Sequence, residues 1–591
     1  MDRFDPAETG FKQVGYRFGE FRLETDGTLL RGEAPVPLAP QELTALRLLL
    51  ARKGEVVTSR QLKQAVWGQE PVAADSVPKC LASLRRRLEP GEWIETVYKR
   101  GYRFSAPALL FAGHAASTLP RLAILPFATE YGVPEYLGSA IAEEAGARLG
   151  ETHSAAATIL SRESAFALAR RGLVPRQIGE MLEADLVLNG ELRSVASRYR
   201  VRAAMIRVQD GSEIWVEEML VDRSRLAGLE AELVRRVAIR LDGSELPEPA
   251  STSAARERHE PPSEQSEAYE LLARARHEWQ TLERHRMQDA LQHLLRALEL
   301  DPNLVAARVN LAHLCVKQAL CGFVPAPAAA DIVRRTTEAI PDHPLRAEAV
   351  LPALGWISFH VDRNLPAALW AFERSSHLPH DPWITRARSL FALSRHRFGE
   401  AIELLHSAIH LDPYAGWLQA QLAWAHHLAG ESSASAQLAR TALDRFPEHK
   451  FAHFYAAQIL AFNGETAAAM ELARTLTQRF PYFDPAPAGY AYTLALAGRK
   501  GEAHAVLERL QWLSRERFAM KTFAPAAYVA LGDFDTALAE LNIADETRCP
   551  WFFQILADPS LKPLHGRPGF ESMNGILAGM EAEAERNRLG E

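Results

Sequence analysis

Prolines recur every 34 residues through the second half of the chain, at Pro379, Pro413, Pro447 and Pro481. Glycines keep the same step at Gly430, Gly464, Gly498 and Gly532, each just before a polar turn. No single helix or strand has a period this long. It belongs to a supersecondary unit that buries its apolar face only by stacking on copies of itself, and the pattern between the prolines is that of paired helices. Small residues hold the positions where paired helices must approach: Ala401, Ala469, Ala503 and Ala537 in second helices, Ala423, Ala457 and Ala491 in first helices. An earlier copy covers about 268–302, residues 315–345 break the period, and the stretch 531–570 reads as a cap. Solenoids present an extended inner surface for binding, so the back half is expected to receive something, and its control must be read from the front.

Residues 15–106 read as short strands, three helices and a hairpin. Strands are expected at Arg17–Leu23 and Thr28–Arg31. A first helix at Pro40–Lys53 has Leu43, Leu46, Leu49 and Leu50 at helical spacing, with Gly54 after it. A second helix at Ser59–Trp67 takes Ser59 as its cap, and a third covers Ser76–Leu88. Ile94–Val97 and Tyr102–Phe104 then alternate as strands. In the third helix Val77, Leu81, Leu84 and Leu88 make one apolar stripe, and Lys79, Ala82, Ser83 and Arg86 lie opposite it, flanked by Arg85 and Arg87. Such a helix fits a major groove, where Arg or Lys reads guanine and Ala touches a thymine methyl; Lys99 and Arg100 at the hairpin tip suit phosphates or a minor groove. The competing reading is a solvated run of arginines. Residues 1–106 carry 17 Lys/Arg against 14 Asp/Glu, while the whole chain has a net charge of −7, so a basic head sits on an acidic body.

Leu38-Ala39-Pro40-Gln41-Glu42, Gly54–Arg60, Val66-Trp67-Gly68, Thr96-Val97 and Arg100–Phe104 together resemble the OmpR/PhoB-type winged-helix output domain. The resemblance implies a winged helix-turn-helix of α+β class that binds double-stranded DNA. Pro78 stands where that family usually has a polar residue, which implies one base contact fewer. Only 14 residues precede the module, so control by an attached phospho-acceptor domain is not expected.

Residues 120–242 read as an α/β unit: strand Arg121–Phe127, helix Gly138–Leu149, strand Ile159–Ser161, helix Ser164–Arg171, three strands over Ala184–Leu220 and helix Arg223–Leu241. Asp210-Gly211 marks a hairpin. Ala123–Phe127, Ser161-Arg162-Glu163-Ser164, Ile178–Gly190 and Asp210–Trp215 resemble a TolB-N-terminal-like domain, which implies coupling or self-association and supplies no catalytic residue. Residues 243–265, rich in Pro, Ser and Glu, read as a flexible linker.

Residues 266–575 resemble tetratricopeptide repeats, whose length is 34. Trp383, Trp417 and Phe451 lie one repeat apart. With Trp424, His427, Phe454, Gln458, Phe462 and Tyr492 they hold positions that in that family line the concave surface, which implies an aromatic groove for a protein or small-molecule effector. The alternative is that most of them pack between helices as ordinary core.

Nothing here reads as an enzyme. Phosphate-loop, dinucleotide, zinc-protease and nucleophile-elbow motifs are absent from the sequence. Asp533-Phe534-Asp535 falls in a repeat turn, and His377, His380 and His426-His427 read as packed or solvated side chains rather than metal ligands, so no cofactor is expected. The four cysteines have no CxxC spacing and read as reduced thiols. The N-terminus has no apolar core, and no apolar run reaches membrane-spanning length, so the expectation is cytoplasmic, without a membrane. The architecture as a whole resembles HilA-like regulators, and CadC-like regulators without their membrane helix. That implies a bacterial transcriptional regulator in signal transduction, with promoter DNA and RNA polymerase as partners and homo-oligomerisation possible. The alternative is a non-enzymatic scaffold whose winged helix contacts proteins such as the polymerase.

Overall fold

The computed structural model describes residues 14–112, 119–242 and 263–589, leaving out 19–20, 24–26, 32–33, 52–55, 68–72, 74, 89–92, 98–99, 105–108, 153–156, 223–225, 280–282, 339–348, 376–381, 482 and 517–519. The chain divides into two compact units, within Met1–Thr118 and Leu119–Glu591.

In the first unit, β1 (Val14–Phe18), β2 (Phe21–Leu23), β3 (Leu29–Arg31) and β4 (Ala34–Val36) form an antiparallel meander. The single strand expected at Arg17–Leu23 is thus a hairpin. Three helices follow, α1 (Pro40–Ala51), α2 (Ser59–Trp67) and α3 (Ser76–Arg87), and then the two-stranded wing of β5 (Ile94–Val97) and β6 (Gly101–Phe104). Between the two domains expected from the sequence, β7 (Leu109–Ala112) pairs with β1 as the fifth strand of the sheet. Leu46, Leu49, Leu81, Leu84 and Phe104 are fully buried with Phe18 and Phe21, each worth roughly 1.5–3 kcal/mol of burial. The second helix is capped by Thr58 rather than Ser59. Thr58 Oγ1 accepts from Gln61 N at 3.2 Å and Gln61 Oε1 accepts from Thr58 N at 2.9 Å, a reciprocal box one residue earlier than expected.

In the second unit, a mixed sheet runs in the order β10 (Thr158–Ile159), β8 (Arg121–Ile124), β11 (Leu186–Val195), β12 (Arg198–Arg207), β13 (Glu213–Asp222), with β9 (Ala128–Thr129) beside β11. The first three pair parallel, the last three antiparallel. Helices α4 (Glu135–Thr152), α5 (Arg162–Ala169), α6 (Pro175–Met181) and α7 (Leu226–Asp242) complete this layer. The expected Asp210-Gly211 turn is present, with Gly211 at φ 74° and Asp210 accepting from Ser212.

Helical hairpins fill the rest. The first helix, α8, spans Ser263–Glu278, so it opens inside the stretch read as linker; 243–262 lie outside the described residues. Second helices begin at Phe398, Ser432, Thr466, Lys500 and Phe534, one every 34 residues. Between each pair the chain turns through a left-handed residue: Gly430 at φ 78°, Gly464 at 86°, Gly498 at 76° and Gly532 at 86°, with His396 at 57° in the preceding copy. The off-period segment is also helical, Val305–Leu320 and Ala326–Glu338.

The array does not end open. Trp551 Nε1 donates to Leu320 O at 2.9 Å, Phe553 packs on Phe359 at 5.1 Å, Gln554 Nε2 donates to Ser394 Oγ at 3.2 Å, and Asp558 Oδ1 lies 3.3 Å from His427 Nε2. Residues in and beside one short terminal helix, Phe552–Leu556, therefore meet four successive first helices. The α/β layer is held to the array as well, through Arg276 Nη1 to Glu144 Oε2 at 3.1 Å.

Candidate nucleic-acid interface and the inner surface of the array

The third helix is divided as its spacing requires. Val77, Leu81, Leu84 and Leu88 are buried, while Lys79, Ala82, Arg86 and Arg87 are exposed and Ser83 is half-buried. Lys79 Nζ meets Asp75 Oδ2 at 2.6 Å, and this hydrogen bond, with the lysine charge, holds the Asp75 carboxyl below its usual range. Both groups are exposed, so the pair is weak and open to exchange for a phosphate.

Arg85 differs from its neighbours. Its Nε and Nη2 donate to Ile94 O at 3.0 and 2.8 Å, Nη2 also donates to Thr96 Oγ1 at 2.9 Å, and the guanidinium stands 6.0 Å from the centre of the Tyr102 ring. This side chain, expected from the sequence to flank the DNA-facing residues, fastens the helix to the wing. The wing is fixed again from the other side, where Val57 and Tyr102 exchange backbone hydrogen bonds of 2.8 and 2.9 Å. Gly101 makes that approach possible. Its φ is 143°, and a Cβ there would lie 2.2 Å from Val57 O. Arg100 is exposed at the tip, and Arg103 Nη2 pairs with Glu95 Oε2 across the strands at 2.7 Å; Lys99 lies outside the described residues.

Five of the nine expected groove residues are core. Trp424 is 1 % exposed and stacks on Tyr455 at 5.0 Å; Phe454 is 1 % exposed and meets Phe523 at 4.8 Å; His427, Gln458 and Tyr492 are also buried. The physical reason lies partly in later residues that the register left out: Phe523 packs on Phe454, and Asp558 lies against His427. Phe462 remains exposed, stacked edge-on to His427, and Phe451 and Trp417 are half-buried. Trp383 lies on the helix Pro382–Ser394, and its side chain is outside the described residues.

Trp417 belongs to a polar constellation that the repeat register alone does not reveal. Its Nε1 donates to Glu163 Oε2 at 2.9 Å, and the Arg386 guanidinium lies 3.8 Å from its ring centre. Glu163 is in the first turn of α5, and that whole turn is docked on the array. Ser161 N donates to Leu411 O, Ser161 Oγ donates to Asp412 Oδ2 at 2.8 Å, and Ser164 N and Oγ both donate to Asp412 Oδ1. Tyr414 N donates to Ser164 Oγ at 2.7 Å. The Ser-Arg-Glu-Ser run was visible in the sequence as a family motif; its docking partner, in an ordinary Asp-Pro repeat ending, was not. Among the described residues there is no cluster of metal-ligating side chains, and no helix is long and apolar enough to cross a membrane.

With this geometry in hand, the match to a known family falls within the first unit. Residues 32–104 match the family described as "Transcriptional regulatory protein, C terminal". The chain is similar to the transcriptional regulator HilA of Salmonella typhimurium, 38 % identical over 131 residues, which is 22 % of this chain and 23 % of that protein. The alignment thus spans under a quarter of HilA. It is also similar to a protein of Rhizobium meliloti named putative adenylate cyclase 3, 28 % identical over 197 residues and 32 % of each chain. Among solved structures, the DNA-binding domain of E. coli CadC is matched over 98 % of its length and 17 % of this chain, at 25 % identity and a TM-score of 0.16.

Proposed function

We propose that the chain is a transcriptional regulator that reads promoter DNA with α3 and the wing, and that its second unit is the effector-binding part. The observation that carries this reading is the division of α3. One face is locked into the core and onto the wing by Leu81, Leu84 and Arg85, and the opposite face offers Lys79, Ala82 and Arg86 to solvent. A helix rigidly seated with a basic, small-residue face outward is what direct readout needs. Arg87 and the tip residues Lys99 and Arg100 supply phosphate contacts.

In this reading the α/β layer is a TolB-N-terminal-like domain that couples the array to the rest of the chain, the protein works in the bacterial cytoplasm, and RNA polymerase and a second copy of the chain are its protein partners. It carries no catalytic step. The test is titration of a labelled promoter fragment with the wild-type chain and Arg86→Ala. Loss of sequence preference at one base position supports direct readout; identical affinity and preference in both proteins refutes it.

A further inference from the structure

Within the array lies a narrow cleft lined by Lys317, Arg386, Trp417, Gln421, Phe451 and Tyr455 among others, with a volume of about 20 Å³, room for one water-sized group, and Trp417 ties it to Glu163 in the first turn of α5. Its chemistry is that of an anion site. Lys317 and Arg386 are two cations in the lining, and Lys450 stands close by. Burial lowers the Lys317 pKa to about 8 and pulls the Arg386 and Lys450 values down, as expected where cations share a poorly hydrated space. Gln421 is 3 % exposed and lines the cleft, and its Nε2 makes no hydrogen bond, a buried donor left unmatched. The carboxylate facing this set is Glu163, delivered by the α/β layer. Although burial opposes its charge, Lys317, the Trp417 hydrogen bond, Arg386 and Arg162 together hold it below its usual range. Glu163 nevertheless keeps access to solvent, so it stands beside the cleft, on Trp417, and not within sealed core.

We infer that Glu163 is the built-in occupant of a carboxylate-binding site, and that a small organic monocarboxylate the size of its carboxyethyl side chain takes its place on Trp417 and reaches Lys317, Arg386 and Gln421. The inference rests on the reading of the second unit as effector-binding. A free acid can do what the side chain cannot: it can approach deeply enough to satisfy Gln421 as well as the two cations. Planar aromatic walls, Trp417, Phe451 and Tyr455, limit the ligand to a short apolar tail. Because the internal carboxylate is tethered, a free competitor meets it at high effective concentration, and the wild-type protein binds weakly until Glu163 leaves.

Propionate is the probe and propionamide, its neutral isostere, the control, with tryptophan fluorescence of the full chain as readout, since Trp417 and Trp551 line the cleft. Glu163→Ala is expected to bind propionate saturably and about tenfold or more tighter than wild type, while ignoring propionamide. Adding Arg386→Gln to it is expected to abolish the response. No saturable response in Glu163→Ala, an equal response to propionamide, or a response that survives Arg386→Gln overturns the proposal. Should Glu163→Ala fail to fold by circular dichroism, Glu163→Gln replaces it; propionate affinity raised above wild type supports the site, and unchanged affinity overturns it. Promoter binding through Arg86 is read separately, so a failure here leaves the DNA reading standing.

Discussion

Ser161 Oγ donates a 2.8 Å hydrogen bond to Asp412 Oδ2 across 251 residues, and neither residue is more than 8 % exposed. This contact joins the α/β layer to a repeat ending in the middle of the array, and it titrates. Burial first, and then the Glu163 charge, lift the Asp412 pKa from its usual 3.8 to about 7, against the pull of the two serines. A carboxyl raised in the folded state holds its proton better there than in the unfolded chain. Its stabilisation is therefore complete below 3.8 and is lost as pH rises through about 7. Thermal melts of the second unit are expected to fall across that window, and Asp412→Asn is expected to flatten the fall. An unchanged pH slope in the variant would remove Asp412 as the cause.

Arg85 and Arg86 are neighbours with opposite expectations. Arg85→Ala removes the bonds to Ile94 O and Thr96, and loses about 1–3 kcal/mol of stability in the first unit, read by chemical denaturation. Arg86→Ala leaves the melt unchanged and weakens specific DNA binding by ~1–3 kcal/mol. If the two variants behave alike in both assays, the division of the helix is wrong.

Gly101→Ala forces a Cβ to within 2.2 Å of Val57 O at a φ of 143°. The wing and the α1–α2 connector must part, at a cost on the order of 1–3 kcal/mol. Hydrogen exchange at the amides of Val57 and Tyr102 reports it directly: faster exchange in the variant is expected, and protection equal to wild type would show that the approach is not needed.

Trp424 and Trp417 separate the core reading from the groove reading. Trp424→Ala empties a fully packed site and costs ~3–5 kcal/mol, collapsing the melt of the array. Trp417 is half-buried, so Trp417→Ala costs less and acts on the Glu163 contact. Equal melting losses would contradict these placements.

Cleavage within 243–262, the low-hydrophobicity stretch, is expected to leave the two halves of the second unit together. Glu144–Arg276, Glu163–Trp417 and the serine–Asp412 bonds bridge the cut without a covalent link. Co-elution of the fragments on size exclusion is the expected result; separation at micromolar concentration would show that the domains are independent.

These residues also mark how far the sequence was legible. Local, periodic signals were readable: the buried stripe of α3, the hairpin at Asp210-Gly211, and helix starts repeating from Phe398 to Phe534. Each depends on neighbours a few residues apart. The packing of Phe523 on Phe454 and of Asp558 on His427 was not readable, because the partners lie more than one repeat away, which no repeat register encodes. The tie of Arg85 to the wing was hidden for a related reason. Its spacing puts it beside the outward face, and only the path of β5 brings a carbonyl within reach. Glu163 was noticed as part of a motif, but its partner lies 254 residues away on Trp417.

The central claim is that the first unit reads DNA through an exposed helical face and wing tip. Its most direct test is the salt dependence of promoter binding by the full chain carrying Arg86→Ala, Lys99→Ala and Arg100→Ala together. The account predicts lost sequence preference and a salt slope shallower by about one for each phosphate contact removed. Affinity, preference and slope all equal to wild type, in a protein with an unchanged melt, would contradict it.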